Sequence, residues 1–125
     1  MNYQLAASSY AQVKNHSGVQ SASPHKLIDM LFDGLLERIS QAKGAMTHNN
    51  IELKGKKINS AINILGGLRE NLNHDSPDEI SDNLDALYDY IQGLLSRAHS
   101  SNDIALLNEA GDLIHNVAGA WKKIG

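Results

Sequence analysis

The chain has 125 residues, of which 42% are hydrophobic, a formal net charge of −3 and no cysteine. This length suits one domain around one core, and the absence of cysteine excludes disulfides and zinc–thiolate sites. The slight negative charge argues against nucleic acid as a partner, because phosphate binding needs clustered basic side chains. No apolar run approaches the about 20 residues of a transmembrane helix, and the first residues lack the features of a signal peptide. We therefore expect a cytoplasmic protein that binds neither nucleic acid nor membrane.

The first segment, residues 1–22, is rich in Ser, Ala, Gln and Asn and carries few aliphatic residues. Such a composition cannot bury enough apolar surface to order itself. We expect a mobile or loosely docked arm at 1–22, followed by one helical domain over residues 23–125.

A first helix is predicted to begin at Pro24, directly after Ser23, a residue that suits the N-cap position. Its apolar residues cover an arc of about 240°, whereas the apolar stripe of a core-facing helix is typically a little over 100° wide. Such a helix is buried on more than one side or offers apolar surface to another molecule. We expect Phe32, Leu36 and Ile39 to face a partner, because the other apolar residues already fill a core stripe.

Three more helices follow. The first ends near Met46, and the second runs from about Ile51 to Leu72 with one apolar face. Ser76-Pro77 repeats the Ser-Pro start for the third helix, and a polar break at 100–103 separates the third helix from the fourth. Amphipathic segments joined by short polar loops predict an all-α, antiparallel up-down four-helix bundle.

Glycine recurs inside the predicted helices, where each costs about 1 kcal/mol relative to alanine. We expect most of these glycines to allow close helix packing; the alternative is that they soften the helices so that grooves between them can open. The positions are Gly34, Gly44, Gly55, Gly66, Gly67, Gly93, Gly111 and Gly119.

No catalytic, metal or cofactor site is predicted, and we do not expect an enzyme. The six histidines include no Glu-x-x-His pair of the kind that binds di-iron in helical bundles, and the chain has no glycine-rich phosphate loop. One alternative function stays open. His115, with Gly119 four residues later, resembles the phosphorylated site of histidine phosphotransfer domains, although the lysine expected between them is absent.

Four motifs occur in a characteristic order and spacing. SASPHKLIDMLFDG at 21–34 is close to SASP-x-x-LI-x-MLYDG, SAINIL stands at 60–65, NLDALYDYI at 83–91 is close to NL-x-x-LYDYM, and Trp121 lies in the last helix. Together they resemble the FliS family of flagellar secretion chaperones over nearly the full chain. The chain departs from the family pattern at 77–80, where Pro-Asp-Glu-Ile replaces Gly-Gly-Glu-Ile, and at Phe32, which replaces tyrosine.

The resemblance implies a chaperone that binds the C-terminal segment of flagellin, prevents premature polymerisation and keeps flagellin competent for type III export. Binding would follow the helix-in-groove mode, with apolar anchors on the client. Together with the apolar surplus of the first helix, this predicts the following client-binding residues: Leu27, Met30, Leu31, Phe32, Leu36, Ile39, Ile62, Leu65, Leu87, Tyr88, Tyr90 and Ile91.

The resemblance also implies that the N-terminal arm covers the binding surface through Leu5, Tyr10 and Val13 until the client arrives. Export components or flagellar regulators are further expected partners. Whether the free protein is a monomer or a homodimer stays open. A further open alternative is that the protein is a helical adaptor that binds an unrelated client.

Overall fold

A computed structural model describes residues 23–72 and 79–124 of the chain. These residues form helices and no strand, which confirms the predicted all-α class. The predicted arm and the Ser76-Pro77 helix start lie outside the described residues. None of the described helices is long and apolar enough to span a membrane. In chain order, the helices are α1 (Pro24–Thr47), α2 (Ile51–Glu70), α3 (Glu79–Ser101) and α4 (Ile104–Lys123).

Three of the helices have a polar N-cap residue. Its side chain accepts a hydrogen bond from a backbone N–H in the first turn, which has no partner within the helix. Ser23 accepts from the N–H of Lys26, with Pro24 in the first helical turn. Asn50 begins α2 in the same way, and Asp103 begins α4 by accepting from the N–H of Ala105.

Two short turns at one end of the bundle, which we call the turn end, are built alike. Asn49 between α1 and α2 has a φ of 57°, and Asn102 between α3 and α4 has a φ of 51°. Asparagine is enriched in this left-handed region, because its short side chain tolerates it better than most residues do. In both turns the next residue is an N-cap, so the chain reverses and begins the following helix at once.

Each helix packs against two others, in the order α1–α2, α2–α3, α3–α4 and α4–α1. The opposite end, where α1 and α3 begin and α2 and α4 end, we call the arm end, because residues 1–22 precede α1 there. The core runs between the helices along their length. Its largest fully buried side chains are Leu31, Phe32, Leu35, Ile39, Ile58, Ile64, Leu65, Ile91, Leu94, Leu95, Leu107 and Ile114.

The apolar surplus of α1 is explained by its packing against α2 and α4, which is more extensive than the packing of any other helix against its two neighbours. The prediction that Phe32 and Ile39 face away from the core is wrong, since only 1% and 2% of their surfaces are exposed. Leu36 is half-buried and packs against the core. Contact with two helices at once widens the buried arc beyond a single stripe, so much of the surplus is internal.

Lys54 is a buried charge at the turn end, with 5% of its surface exposed. Its ammonium donates hydrogen bonds to the carbonyl oxygen of His99 at 3.2 Å and to Oδ1 of Asn102 at 2.8 Å. The carbonyls in the last turn of a helix have no partner within it, so Lys54 satisfies one of them. It thereby fixes the start of α2 to the end of α3.

The glycines divide into two groups. At Gly44, Gly93 and Gly119 no atom lies within 4 Å of the place a Cβ would occupy, so the expectation of close packing is wrong there. At Gly55 that place is 3.1 Å from the ring of His99, and at this position the expectation is confirmed.

Candidate protein-binding groove

An apolar groove of about 290 Å³ opens at the arm end, and all four helices line it. We call it the end groove. Among its lining residues Asn71 alone has neither an aliphatic nor an aromatic side chain, which suits the groove to an apolar ligand. The lining consists of Ile28, Phe32, Leu68, Asn71, Leu72, Ile80, Leu84, Tyr88, Val117, Ala120, Trp121 and Ile124.

The mouth of the end groove is apolar as well. Ile80 is 72% exposed and Ile124 is 74% exposed, and both belong to the lining. A single exposed isoleucine needs no explanation, but two beside an apolar groove form a continuous patch, and such patches mark interaction sites. The groove therefore presents apolar surface both inside and at its edge.

Trp121 forms one wall of the groove and is fixed by His25. The two rings stack with centroids 4.5 Å apart and an angle of 8° between their planes. The indole Nε1 donates to the carbonyl oxygen of His25 at 3.0 Å, and the His25 Nε2 lies 2.9 Å from the carbonyl oxygen of Trp121. These reciprocal contacts join the first turn of α1 to the last turn of α4.

An ion pair strengthens the same junction. Lys122 donates to Oδ1 of Asp29 at 2.7 Å, and Lys26 lies 3.7 Å from the other carboxylate oxygen. Asp29 is itself buried. Its hydrogen bond raises the pKa of Lys122 above the ordinary lysine value, because it stabilises the charged ammonium.

The opposite wall is joined by a second set of charges. Arg69, near the end of α2, donates to Asp85 at 2.9 Å and reaches Asp89 at 3.4 Å, and both acids lie on α3. Hydrogen bonding to Asp85 raises the pKa of Arg69. The end of α2 is thus fixed to the first half of α3, as the end of α4 is fixed to the start of α1.

Tyr88 lines the end groove from α3 and is buried. Burial raises the pKa of Tyr88 to about 12, because a phenolate would lose its hydration there. The side chain is therefore neutral at physiological pH and contributes its ring to the apolar lining.

A second apolar surface runs between α3 and α4. Leu87 and Tyr90 lie three residues apart on α3, and half-buried Leu106 and Leu113 flank Glu109 at helical spacing on α4. The Tyr90 hydroxyl donates to Glu109 at 2.5 Å, which places the two sets side by side. We call Leu87, Tyr90, Leu106 and Leu113 the α3–α4 strip.

The predicted client-binding residues fall into four groups. Phe32 and Tyr88 lie in the end groove, and Leu87 and Tyr90 lie in the α3–α4 strip. Half-buried positions elsewhere are Leu27, Leu36 and Ile62. The remaining residues are buried, namely Met30, Leu31, Ile39, Leu65 and Ile91. Leu5, Tyr10 and Val13 lie outside the described residues.

Sequence reasoning missed much of the groove lining, including Ile28, Leu84, Val117 and Ile124. These residues share one end of the bundle rather than one helix face. In an antiparallel bundle the starts of α1 and α3 lie at the same end as the ends of α2 and α4. The predicted helix boundaries therefore already indicated which residues would meet there. The periodicity of single helices did not reveal it.

The residues that the structure describes contain no group of three His, Asp or Glu side chains placed to hold a metal ion. His115 is exposed on α4.

Comparison with known proteins gives one consistent result. The family described as flagellar protein FliS matches residues 6–125. The chain is 44% identical to the flagellar secretion chaperone FliSB of Pseudomonas aeruginosa over 119 residues, which are 95% of this chain and 94% of that protein. It is 43% identical to the flagellar secretion chaperone FliS of Escherichia coli over 91% of this chain and 85% of that protein. For the FliS of Bacillus subtilis the identity is 32%, over 86% and 79%.

Proposed function

Because the chain belongs to the FliS family of flagellar secretion chaperones, we propose that it binds the C-terminal segment of flagellin in the cytoplasm. Binding prevents premature polymerisation of flagellin and keeps it competent for type III export. The observation that carries this proposal beyond the family is the end groove, whose lining and mouth are apolar.

The groove suits a segment that folds on binding. Ordering a disordered segment costs several kcal/mol, which buried apolar area must offset. An amphipathic client helix would place apolar anchors in the end groove, as in other helix-in-groove complexes. The α3–α4 strip offers a second apolar surface for the same client, with Tyr90 supplying a large ring and a polar tip.

The client surface proposed here is narrower than the surface predicted from the sequence. Leu87 and Tyr90 contact the client directly, whereas Phe32 and Tyr88 are buried and line the groove that receives it. Leu27, Leu36 and Ile62 are half-buried and stay proposed contacts outside the groove. The buried members of the predicted set, such as Leu31 and Ile91, support these surfaces from the core.

Residues 1–22 are proposed to cover the end groove in the absence of client. The chain leaves the described structure at Ser23, and two side chains in the first turns of α1, Ile28 and Phe32, line the groove. The arm therefore starts beside the surface that it would cover. An uncovered apolar groove is an aggregation risk, and Leu5, Tyr10 and Val13 are the side chains proposed to reduce it.

Calorimetric titration with a flagellin C-terminal peptide tests the function. Saturable binding with a negative heat-capacity change is expected, because apolar surface is buried. Ile80→Asp at the groove mouth should weaken binding at least tenfold. Ile51→Asp is the matched control: Ile51 is as exposed as Ile80, each at 72%, but lies at the turn end. Absence of binding by the unaltered chain, or equal losses in both variants, would contradict the proposal.

A further inference from the structure

We infer that a pocket at the turn end binds the C-terminal residue of a partner polypeptide, with Lys54 holding its carboxylate and aliphatic side chains of the chaperone contacting its own aliphatic side chain. The pocket lies at the opposite end of the bundle from the end groove, so the inference does not rest on the proposed function. It gives the chain a second protein-binding site, separate from the surface proposed for flagellin.

The pocket has a volume of about 280 Å³, and residues of both turns at the turn end line it. We call it the turn pocket. The apolar part of its lining is Ala45, Met46 and Ile51, and Ile51 is 72% exposed. Its volume is at the small end of ligand pockets, which suits a single amino-acid residue rather than a helix. The polar part of the lining consists of Asn49, Asn50, Lys54, His99, Ser100 and Asn102.

Lys54 brings a buried positive charge to the turn pocket, since only 5% of its surface is exposed. Within residues 23–72 and 79–124, the ion pairs involve other basic side chains, so no carboxylate pairs with Lys54. Its ammonium has three N–H groups, and two of them donate to neutral oxygens of His99 and Asn102. Buried charges are normally paired with an opposite charge. The third N–H group can therefore donate to a negative ligand.

The position of Lys54 on its helix also favours a negative ligand. Lys54 is the fourth residue of α2, and the start of a helix carries a partial positive charge that disfavours a cation. The end of α3, which supplies the His99 carbonyl, carries only about half an elementary negative charge. The acids near the pocket in sequence act elsewhere, since Glu52 is exposed and Asp103 caps α4. A ligand with one negative charge would balance the ammonium.

Two side-chain amides beside Lys54 offer further donors. Asn50 accepts from the N–H of Leu53 and Asn102 accepts from Lys54, so both amide oxygens are already used. Their Nδ2 groups donate to no group in the described part of the chain. A carboxylate has two oxygens with about four acceptor positions. It can therefore accept from Lys54 and from these amides together.

The apolar part of the lining selects among carboxylates. Asp and Glu side chains carry the carboxylate at their tip and have no aliphatic branch, and inorganic phosphate has no apolar group. The last residue of a polypeptide carries its carboxylate and its side chain on the same Cα. An aliphatic residue at that position can bind Lys54 and contact Met46 and Ile51 within one small pocket. The ligand class is therefore a C-terminal aliphatic residue.

Three N-acetylated amino acids test the two requirements on the unaltered chain. N-acetyl-leucine has the carboxylate and the aliphatic side chain, N-acetyl-leucinamide lacks the charge, and N-acetylglycine lacks the side chain. Nuclear magnetic resonance titration of the isotope-labelled chain should show saturable shifts with N-acetyl-leucine at the backbone amides of Ile51, Lys54 and Asn102. The dissociation constant should be at least tenfold higher for the amide, because a charged hydrogen bond is lost. For N-acetylglycine it should be at least fivefold higher, because apolar burial is lost.

Lys54→Gln and Lys56→Gln form a matched pair, since each removes one positive charge from α2. Lys56 is exposed and does not line the turn pocket. Lys54→Gln should weaken the binding of N-acetyl-leucine at least tenfold, whereas Lys56→Gln should change it less than twofold. Circular dichroism checks that both variants fold. The comparison of the three probes needs neither variant, so it decides the inference even if Lys54→Gln does not fold.

Equal affinities for N-acetyl-leucine and N-acetyl-leucinamide overturn the inference, and so does tighter binding of inorganic phosphate. An equal loss of binding in Lys54→Gln and Lys56→Gln also overturns it. Saturating N-acetyl-leucine should change the affinity for the flagellin peptide less than twofold, and competition between the two ligands would contradict a separate site. If the unaltered chain does not bind the flagellin peptide, the proposed function fails, and the titration with N-acetyl-leucine still decides whether the turn pocket is a binding site.

Discussion

His25 acts on two helices at once. Its ring stacks on Trp121 and its Nε2 meets the Trp121 carbonyl, one of the last carbonyls of α4. This carbonyl also accepts from the backbone N–H of Ile124 at 3.2 Å, and the negative end of the helix dipole favours a second hydrogen-bond donor there. One side chain in the first turn of α1 thus joins the end of α4 to the start of α1 and positions a wall of the end groove.

Tyr88 should make stability depend on pH in the alkaline range. An unfolded tyrosine ionises near pH 10, whereas the folded side chain resists ionisation up to about 12. Its neutral form thus contributes fully below pH 10, and that contribution is lost between pH 10 and 12, by up to about 3 kcal/mol. Denaturant titrations of the unaltered chain and Tyr88→Phe measure the difference.

Tyr90→Phe is the comparison for this experiment, because Tyr90 is exposed. The Tyr90→Phe variant should still lose most of the same stability between pH 10 and 12, since Tyr88 is present in it. Parallel curves for the unaltered chain and Tyr88→Phe between pH 10 and 12 would show that Tyr88 ionises as freely in the folded state as in the unfolded one.

Glycines without neighbours should be replaceable with a gain in stability. Gly44→Ala, Gly93→Ala and Gly119→Ala should each raise the free energy of unfolding by about 0.5–1 kcal/mol, because alanine restricts the unfolded chain and meets no atom. Gly55→Ala should gain less, since its Cβ would press on the His99 ring. A gain at Gly93 no larger than that at Gly55 would contradict this account.

At the scale of the helix, α1 shows what periodicity can and cannot predict. Its start at Pro24 and its wide apolar arc could both be predicted from the sequence, because capping and residue spacing are local properties. The sequence of α1 could not show that the side chains of Phe32 and Ile39 face the core, because that depends on where α2 and α4 lie. The glycines illustrate the same limit: Gly55 and Gly93 look alike in the sequence, and only the position of His99 distinguishes them.

The arm is the element whose removal should have the clearest effect. Deletion of residues 1–17 should increase the binding of an apolar fluorescent dye, because the end groove would lose its proposed cover. Leu5→Ala, Tyr10→Ala and Val13→Ala combined in the full-length chain should reproduce the increase if those side chains provide it. Unchanged dye fluorescence after the deletion would contradict a covering role.

At the scale of the whole molecule, the bundle differs at its two ends. The turn end combines two short turns with the buried ammonium of Lys54 bound to the end of α3. The arm end combines an apolar groove with polar contacts that join α2 to α3 and α4 to α1. The sequence predicted the four helices. The groove itself is assembled from residues up to 96 positions apart, such as Ile28 and Ile124, which no local pattern connects.

That separation along the chain also bears on how the protein is made. The contact between α1 and α4 joins residues 93 positions apart, so it cannot form until Lys122 has left the ribosome. Until then the side of α1 that α4 covers, including Ile39 beside Gly111, is open to water. A nascent chain of three helices is therefore an incomplete bundle with an uncovered apolar face, and closure by α4 is the step that ends its exposure.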